Sequence, residues 1–192
     1  EIPLRLVGSE MCIRDSETSV LAHAKHRIAW LLILMFSATI TGTIITRYEN
    51  AFAAIPLLVS FIPMLMDTGG NCGSQSSTLI IRGIALGEIQ FSDLFRVMFK
   101  EFRVSLIVGV ALALANGIRI LIMYKNAGLA LVIGLSLVAT IVISKLIGCV
   151  LPLIAKKLHM DPAIMASPLI TTLVDTCSIL IYFNIATQVF QL

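Results

Sequence analysis

Apolar stretches separated by short polar clusters set the pattern of this chain. They run over about 28–46, 53–83, 104–123, 129–151 and 163–190. Each has the ~20 residues that a helix needs to cross a ~30 Å hydrocarbon layer, or more. The pattern predicts an all-α polytopic membrane protein with five transmembrane helices. The separators are polar turns such as Arg47-Tyr48-Glu49-Asn50 and the loop holding Lys156, Lys157, His159 and Asp161. Residues 91–103 mix Phe91, Phe95 and Phe99 with Arg96, Lys100 and Arg103, which predicts an amphipathic helix on the membrane surface. The second stretch differs from the others. Pro56, Pro63 and the glycines of Asp67-Thr-Gly-Gly-Asn-Cys-Gly predict a kinked or broken helix, tolerated in a membrane where it is buried in protein or lines a wet cavity.

Composition agrees with a membrane class. The 192 residues are 58% hydrophobic and 13% charged, against about 25% charged in ordinary soluble domains. Mean hydropathy is +0.98. The length suits one membrane domain, expected over 18–192, with no room for a second folded soluble one. Residues 1–17 lack periodicity, read as a non-native or disordered segment, and are set aside. The net charge of +3 is small and gives no nucleic-acid signature; its distribution carries the information. With five spans, Lys25, Arg27, Arg82, Arg96, Lys100, Arg103, Lys156 and Lys157 share one side, and Arg47, Arg119 and Lys125 the other. The positive-inside rule then expects a cytoplasmic N-terminus and an extracytoplasmic C-terminus in a multi-pass cell-membrane protein. Cys12, Cys72, Cys149 and Cys177 are scattered without metal-ligand spacing and read as small packing residues.

Candidate chemistry lies in two polar stripes. Ser167, Thr171, Asp175 and Ser178 fall on one face of the last helix, with Thr172 beside them. Asp175 lies 12 residues after Ala163, roughly 18 Å into the span at 1.5 Å per residue. A carboxylate there is expensive and normally faces a wet path or a partner. In the second helix, Asp67, Asn71, Ser74, Thr78 and Arg82 form a matching stripe, with Gln75 at its edge. Asp67 also suits a helix cap. Ser74 and Thr78 also suit helix packing. Asp175 also suits a structural ion pair with Lys145 or Arg82. As an ion site, one carboxylate per chain is incomplete, whereas two-fold association brings two together. Mg²⁺ keeps several waters and needs only one or two carboxylates.

The run Ile-Pro-Met-Leu-Met-Asp-Thr-Gly-Gly-Asn-Cys-Gly-Ser-Gln from Ile62, continuing to Ile89, resembles the second helix of the MgtE-type magnesium transporters. Residues 151–175, ending Ser-Pro-Leu-Ile-Thr-Thr-Leu-Val-Asp, resemble that family's last loop and fifth helix. The resemblance covers roughly 20–192. It implies a homodimer in the lipid bilayer whose second and fifth helices line an ion path. Asp175 corresponds to the family's pore aspartate, with Thr171 and Ser167 one and two turns earlier; some members have Ala and Asn at those two places. Asn71 matches the Gly-Gly-Asn motif. Glu101 matches an acid near the cytoplasmic entrance, where Glu88 is the second candidate. The resemblance implies Mg²⁺ as the transported ion. It also implies cytoplasmic regulatory domains, separate from or missing in these residues, so that the chain alone is expected to lack magnesium-sensing closure. The expected function is Mg²⁺ transport through a channel-like pore at a dimer axis. The alternatives are a proton- or sodium-coupled cation carrier and a non-transporting membrane scaffold. Enzyme function is not expected, because no nucleophile–base or metal-hydrolase constellation occurs.

Overall fold

A computed structural model describes residues 20–158, 162 and 168–191. The set-aside segment 1–17, Ser167 and most of the loop before the last helix therefore lie outside the described residues. The described residues up to Ser37 belong to one compact unit, and those from Ala38 onward to another. Among the described residues there is helix and no strand. The helices are α1 (Val20–Arg47), α2 (Glu49–Ala54), α3 (Ile62–Ala85), α4 (Leu94–Tyr124), α5 (Ala127–Lys157) and α6 (Pro168–Phe190). Short 3-10 turns at Pro56–Phe61 and Phe91–Asp93 lead into α3 and α4.

Among the described residues, three stretches are long and apolar enough to cross a membrane: Phe91–Tyr124, Ala127–Lys157 and Leu169–Phe190. The apolar part of α1, Leu31–Arg47, is shorter. α3 is long enough, but its polar stripe lowers its hydropathy.

The predicted second segment is corrected in its detail. The chain breaks at Ile55–Phe61, where Pro56 starts the 3-10 turn. The freed Leu58 carbonyl accepts a 2.8 Å hydrogen bond from Tyr182 Oη of α6. From Ile62 to Ala85 the helix is continuous, and Pro63 sits in its first turn, where no N–H is missed. The glycines do not break it, because they serve packing. Within the predicted surface helix 91–103, Phe91–Asp93 form the 3-10 turn and Leu94 onward is the beginning of α4, a single helix of 31 residues. No proline interrupts it, and its buried face runs through Glu101, Ser105 and Gly109 without a change of phase. α5 extends past its predicted end at 151. Pro152 lies inside its final turns, buried beside Cys149 and Leu153.

Two residues join α4 to α5. Lys125 takes a left-handed conformation (φ 51°, ψ 30°) and ends α4. Asn126 Oδ1 then accepts from Leu129 N at 3.0 Å and starts α5. So tight a turn makes the two helices antiparallel neighbours. α5 is the central element of its unit and packs against α3, α4 and α6. Leu65, Val132, Ile133, Ile141 and Phe183 belong to the core there.

Candidate functional site

Close approach of α3 to its neighbours comes from side chains that are small or absent. Gly69, Gly70 and Gly73 lie on its buried face. Opposite them α5 presents Ser136, Thr140, Ser144 and Gly148, one per turn and all buried. Ser144 Oγ donates to the Gly69 carbonyl. A Cβ at Gly148 would run into the backbone of Gly73. A Cβ at Gly69 would come within 2.8 Å of Thr140 Cγ2 and Val174 Cγ1. This small-residue seam is the packing device expected between membrane helices, where lipid supplies no hydrophobic drive to associate.

Glycines facing inward turn the polar stripe outward. Asp67, Asn71, Gln75, Thr78 and Arg82 are exposed and Ser74 is half-buried, so the structure brings these residues to one face of α3. Thr78 Oγ1 donates back to the Ser74 carbonyl at 2.8 Å. No N-cap role is seen for Asp67, which sits in the second turn of α3.

On α6, Asp175, Thr171 and Thr172 are half-buried. Thr171 Cγ2 approaches Gly70, while Val174 and Ser178 approach Gly69. These contacts run in opposite senses along the two helices. They put Asp175 at the depth of the Asp67–Asn71 turn. Ser178 leaves the predicted stripe: it is buried and donates to the Val174 carbonyl at 2.7 Å. Asp175 forms no ion pair with any described residue. The alternative partner Lys145 is committed elsewhere, and Arg82 makes no ion pair among the described residues. Among the described residues no three His, Cys, Asp or Glu side chains gather as a metal site.

Glu101 is buried, on the inward face of α4. It is 8% exposed, and Lys145 is 5% exposed. Glu101 Oε2 accepts from Ser76 Oγ at 2.7 Å and pairs with Lys145 Nζ at 3.4 Å. Lys145 Nζ also donates to Ser76 Oγ at 3.2 Å. The network joins α3, α4 and α5. Glu88, after α3, is exposed.

Sequence reasoning missed several polar groups. Ser76 carries no signal in the sequence, and Lys145 is read there as a possible partner of Asp175, not of Glu101. Thr176 Oγ1 shares a 2.8 Å hydrogen bond with Thr41 Oγ1 in the second half of α1. Ser77 Oγ, Ser136 Oγ and Thr140 Oγ1 are buried without a hydrogen-bond partner among the described residues.

A family profile described as MgtE, divalent cation transporter, matches residues 62–185. The chain is 39% identical to the magnesium transporter MgtE of Bacillus subtilis over 171 residues, 89% of this chain and 38% of that protein. It is 36% identical to the Thermus thermophilus protein of the same name over 172 residues, 89% of this chain and 38% of that one. For the Enterococcus faecalis protein the identity is 33% over 176 residues, 92% of this chain and 39% of the relative. The chain thus spans about two-fifths of the length of these relatives, all of them named as transporters rather than enzymes. The matched profile covers the inward glycines, the outward polar stripe of α3, the buried Glu101–Lys145 pair and Asp175, and the chain belongs to the MgtE family of divalent cation transporters.

Proposed function

We propose that this chain is one half of a two-fold, channel-like pore that passes Mg²⁺ across the cell membrane down its electrochemical gradient. The observation that carries the reading is the outward polar face of α3, at one depth with the half-buried Asp175 of α6, which has no ion pair among the described residues. Such a face is costly against lipid and favourable against water or a second copy. By contrast α4 exposes apolar side chains, at Ile107, Leu114 and Ile118. A two-fold axis beside α3 and α6 brings together two Asp175 carboxylates, with hydroxyls of Thr171 and Thr172 nearby. Ser167 is assigned one turn further out, from its sequence position. Mg²⁺ gives up its water shell reluctantly, so the ion is held largely hydrated, with two carboxylates supplying the charge. Asn71, Ser74, Gln75 and Thr78 offer hydrogen bonds to those waters, and Asp67 adds charge at one end.

The orientation reading belongs here as well. Lys157 Nζ lies 4.3 Å from the Phe91 ring centroid, so the start of α4 and the end of α5 adjoin. That end, rich in Lys and Arg, is assigned to the cytoplasm by the positive-inside rule. Glu88 is the exposed acid on that side. Glu101, whose carboxylate is engaged by Ser76 and Lys145, acts on the path by holding α3 in place. Whole-length relatives carry further sequence, and regulation by a cytoplasmic domain is part of the proposal.

The test is Mg²⁺ flux into proteoliposomes holding the purified chain, beside Asp175→Asn. Flux under a Mg²⁺ gradient alone, reduced in the variant to the level of empty liposomes, is expected. A variant that conducts normally would sink the assignment of Asp175. Flux only under an imposed proton or sodium gradient would replace the channel with a coupled carrier.

A further inference from the structure

The start of α4 and the end of α3 line a half-open cavity of about 900 Å³. This is within the ~300–1,000 Å³ typical of pockets that bury small molecules. Arg82, Arg96, Lys100 and Arg103 line it, and all four are exposed. None of the four has an acid partner among the described residues. Arg103 stands 6.0 Å from the Phe99 ring centroid, a weak cation–π contact that leaves its charge in place. Three acids share the wall: Glu88, Asp93 and Glu101. Glu101 is neutralised by Lys145. Asp93 accepts from the Gln90 backbone N–H at 3.0 Å. Four cations thus face two remaining carboxylates, Glu88 and Asp93, so the field inside is positive, which repels a divalent cation and attracts an anion.

The other wall is apolar. Leu79, Val104 and Ile107 line the same cavity. Exposure reaches 59% at Leu79 and 74% at Ile107. Along α4 the change of character is abrupt. Arg96, Lys100 and Arg103 come at intervals of three or four residues, and no charged residue follows between Val104 and Ile118. A helix in a bilayer makes that change where headgroups meet hydrocarbon. The cavity straddles the boundary, with cations on the headgroup side and aliphatic side chains below.

We propose that this cavity binds an anionic phospholipid. Its phosphate sits among Arg96, Lys100 and Arg103, and its acyl chains run down past Val104 and Ile107. A zwitterionic lipid has the same tails, but it carries its own cation into a positive site. A water-soluble anion matches the charges and leaves the apolar wall exposed. The combination selects an amphiphile of net negative charge.

The experiment is native mass spectrometry of the purified protein in detergent, titrated with dioleoyl phosphatidylglycerol, dioleoyl phosphatidylcholine or glycerol 3-phosphate. Tighter retention of phosphatidylglycerol than of the other two is expected. Arg96→Gln/Lys100→Gln/Arg103→Gln should weaken it roughly a hundredfold, at about fivefold per basic residue removed. Ile107→Trp keeps every charge and narrows the apolar end, and it should also weaken retention. It carries the test if the triple variant does not fold. Arg119→Gln, near the far end of α4, should change nothing. Equal retention of phosphatidylcholine, equal binding of glycerol 3-phosphate, or phosphatidylglycerol binding unchanged in both cavity variants would each overturn the proposal. So would loss of the dimer with no lipid ever retained, because a second copy of the chain would then be what covers the cavity.

Discussion

Lys145 shows most clearly how single residues hold the packing together. It lies in an apolar helix and is buried against Glu101 and Ser76. Lys145→Met would leave a buried carboxylate without its counter-charge. A destabilisation of about 3–5 kcal/mol is expected, read as a lower unfolding midpoint in detergent. Lys145→Met/Glu101→Leu removes both charges and should recover most of that loss. If the double variant is as unstable as the single one, the pair is not the cause. Gly148 makes a complementary case. A methyl group there meets the backbone of Gly73, which cannot swing aside as a side chain would. Gly148→Ala should cost about 1–3 kcal/mol and widen the α3–α5 seam. Gly117, beside which a Cβ meets nothing within 4 Å, is the control: Gly117→Ala should be neutral or stabilising.

The α4–α5 connection governs behaviour at the scale of elements. Lys125 holds a left-handed backbone (φ 51°), which a side chain disfavours and glycine accepts freely. Lys125→Gly should therefore stabilise the turn by up to about 1 kcal/mol. Asn126→Ala removes the cap on Leu129 N and should cost about 1 kcal/mol. Opposite shifts in thermal midpoint for the two variants are the expected pattern. These two substitutions act on one turn, so shifts of the same sign would mean that its tertiary surroundings dominate. The same scale explains α3. A helix with glycines on one face and Asp67, Asn71, Gln75 and Thr78 on the other cannot be read by hydropathy alone. Its polar face becomes meaningful only once its glycine face is seated on α5 and α6.

For the molecule as a whole, the question is what covers that polar face. Under the two-fold pore, α3 of one chain comes near α3 or α6 of the other. Gln75→Cys in a background freed of the native cysteines should then give a disulfide-linked dimer on mild oxidation. Leu114→Cys, 64% exposed on the apolar side of α4, should stay monomeric under the same conditions. Cross-linking through Leu114 and not through Gln75 would move the dimer axis to α4 and remove the basis for paired Asp175 residues.

Much of this was legible in the chain itself. Apolar runs of membrane-spanning length determined the helical class, because a backbone in lipid must satisfy its own hydrogen bonds. Four-residue spacing placed Asp67, Asn71 and Thr78 on one side of α3, since helical geometry fixes that relation without any partner. The motifs around Gly69–Asn71 and Asp175 carried the family. Other features were decided only by tertiary contacts. Glycine signals a break or a close approach equally well, and the seating of Ser144 and Gly148 against Gly69 and Gly73 made it an approach. Ser178 fits the Asp175 stripe by spacing alone, yet packing against Gly69 turned it inward. Glu101 read as an interfacial acid because nothing local distinguishes a solvated carboxylate from a buried one. Lys145 lies 44 residues away in sequence, and only the antiparallel packing of α4 on α5 brings its charge within reach.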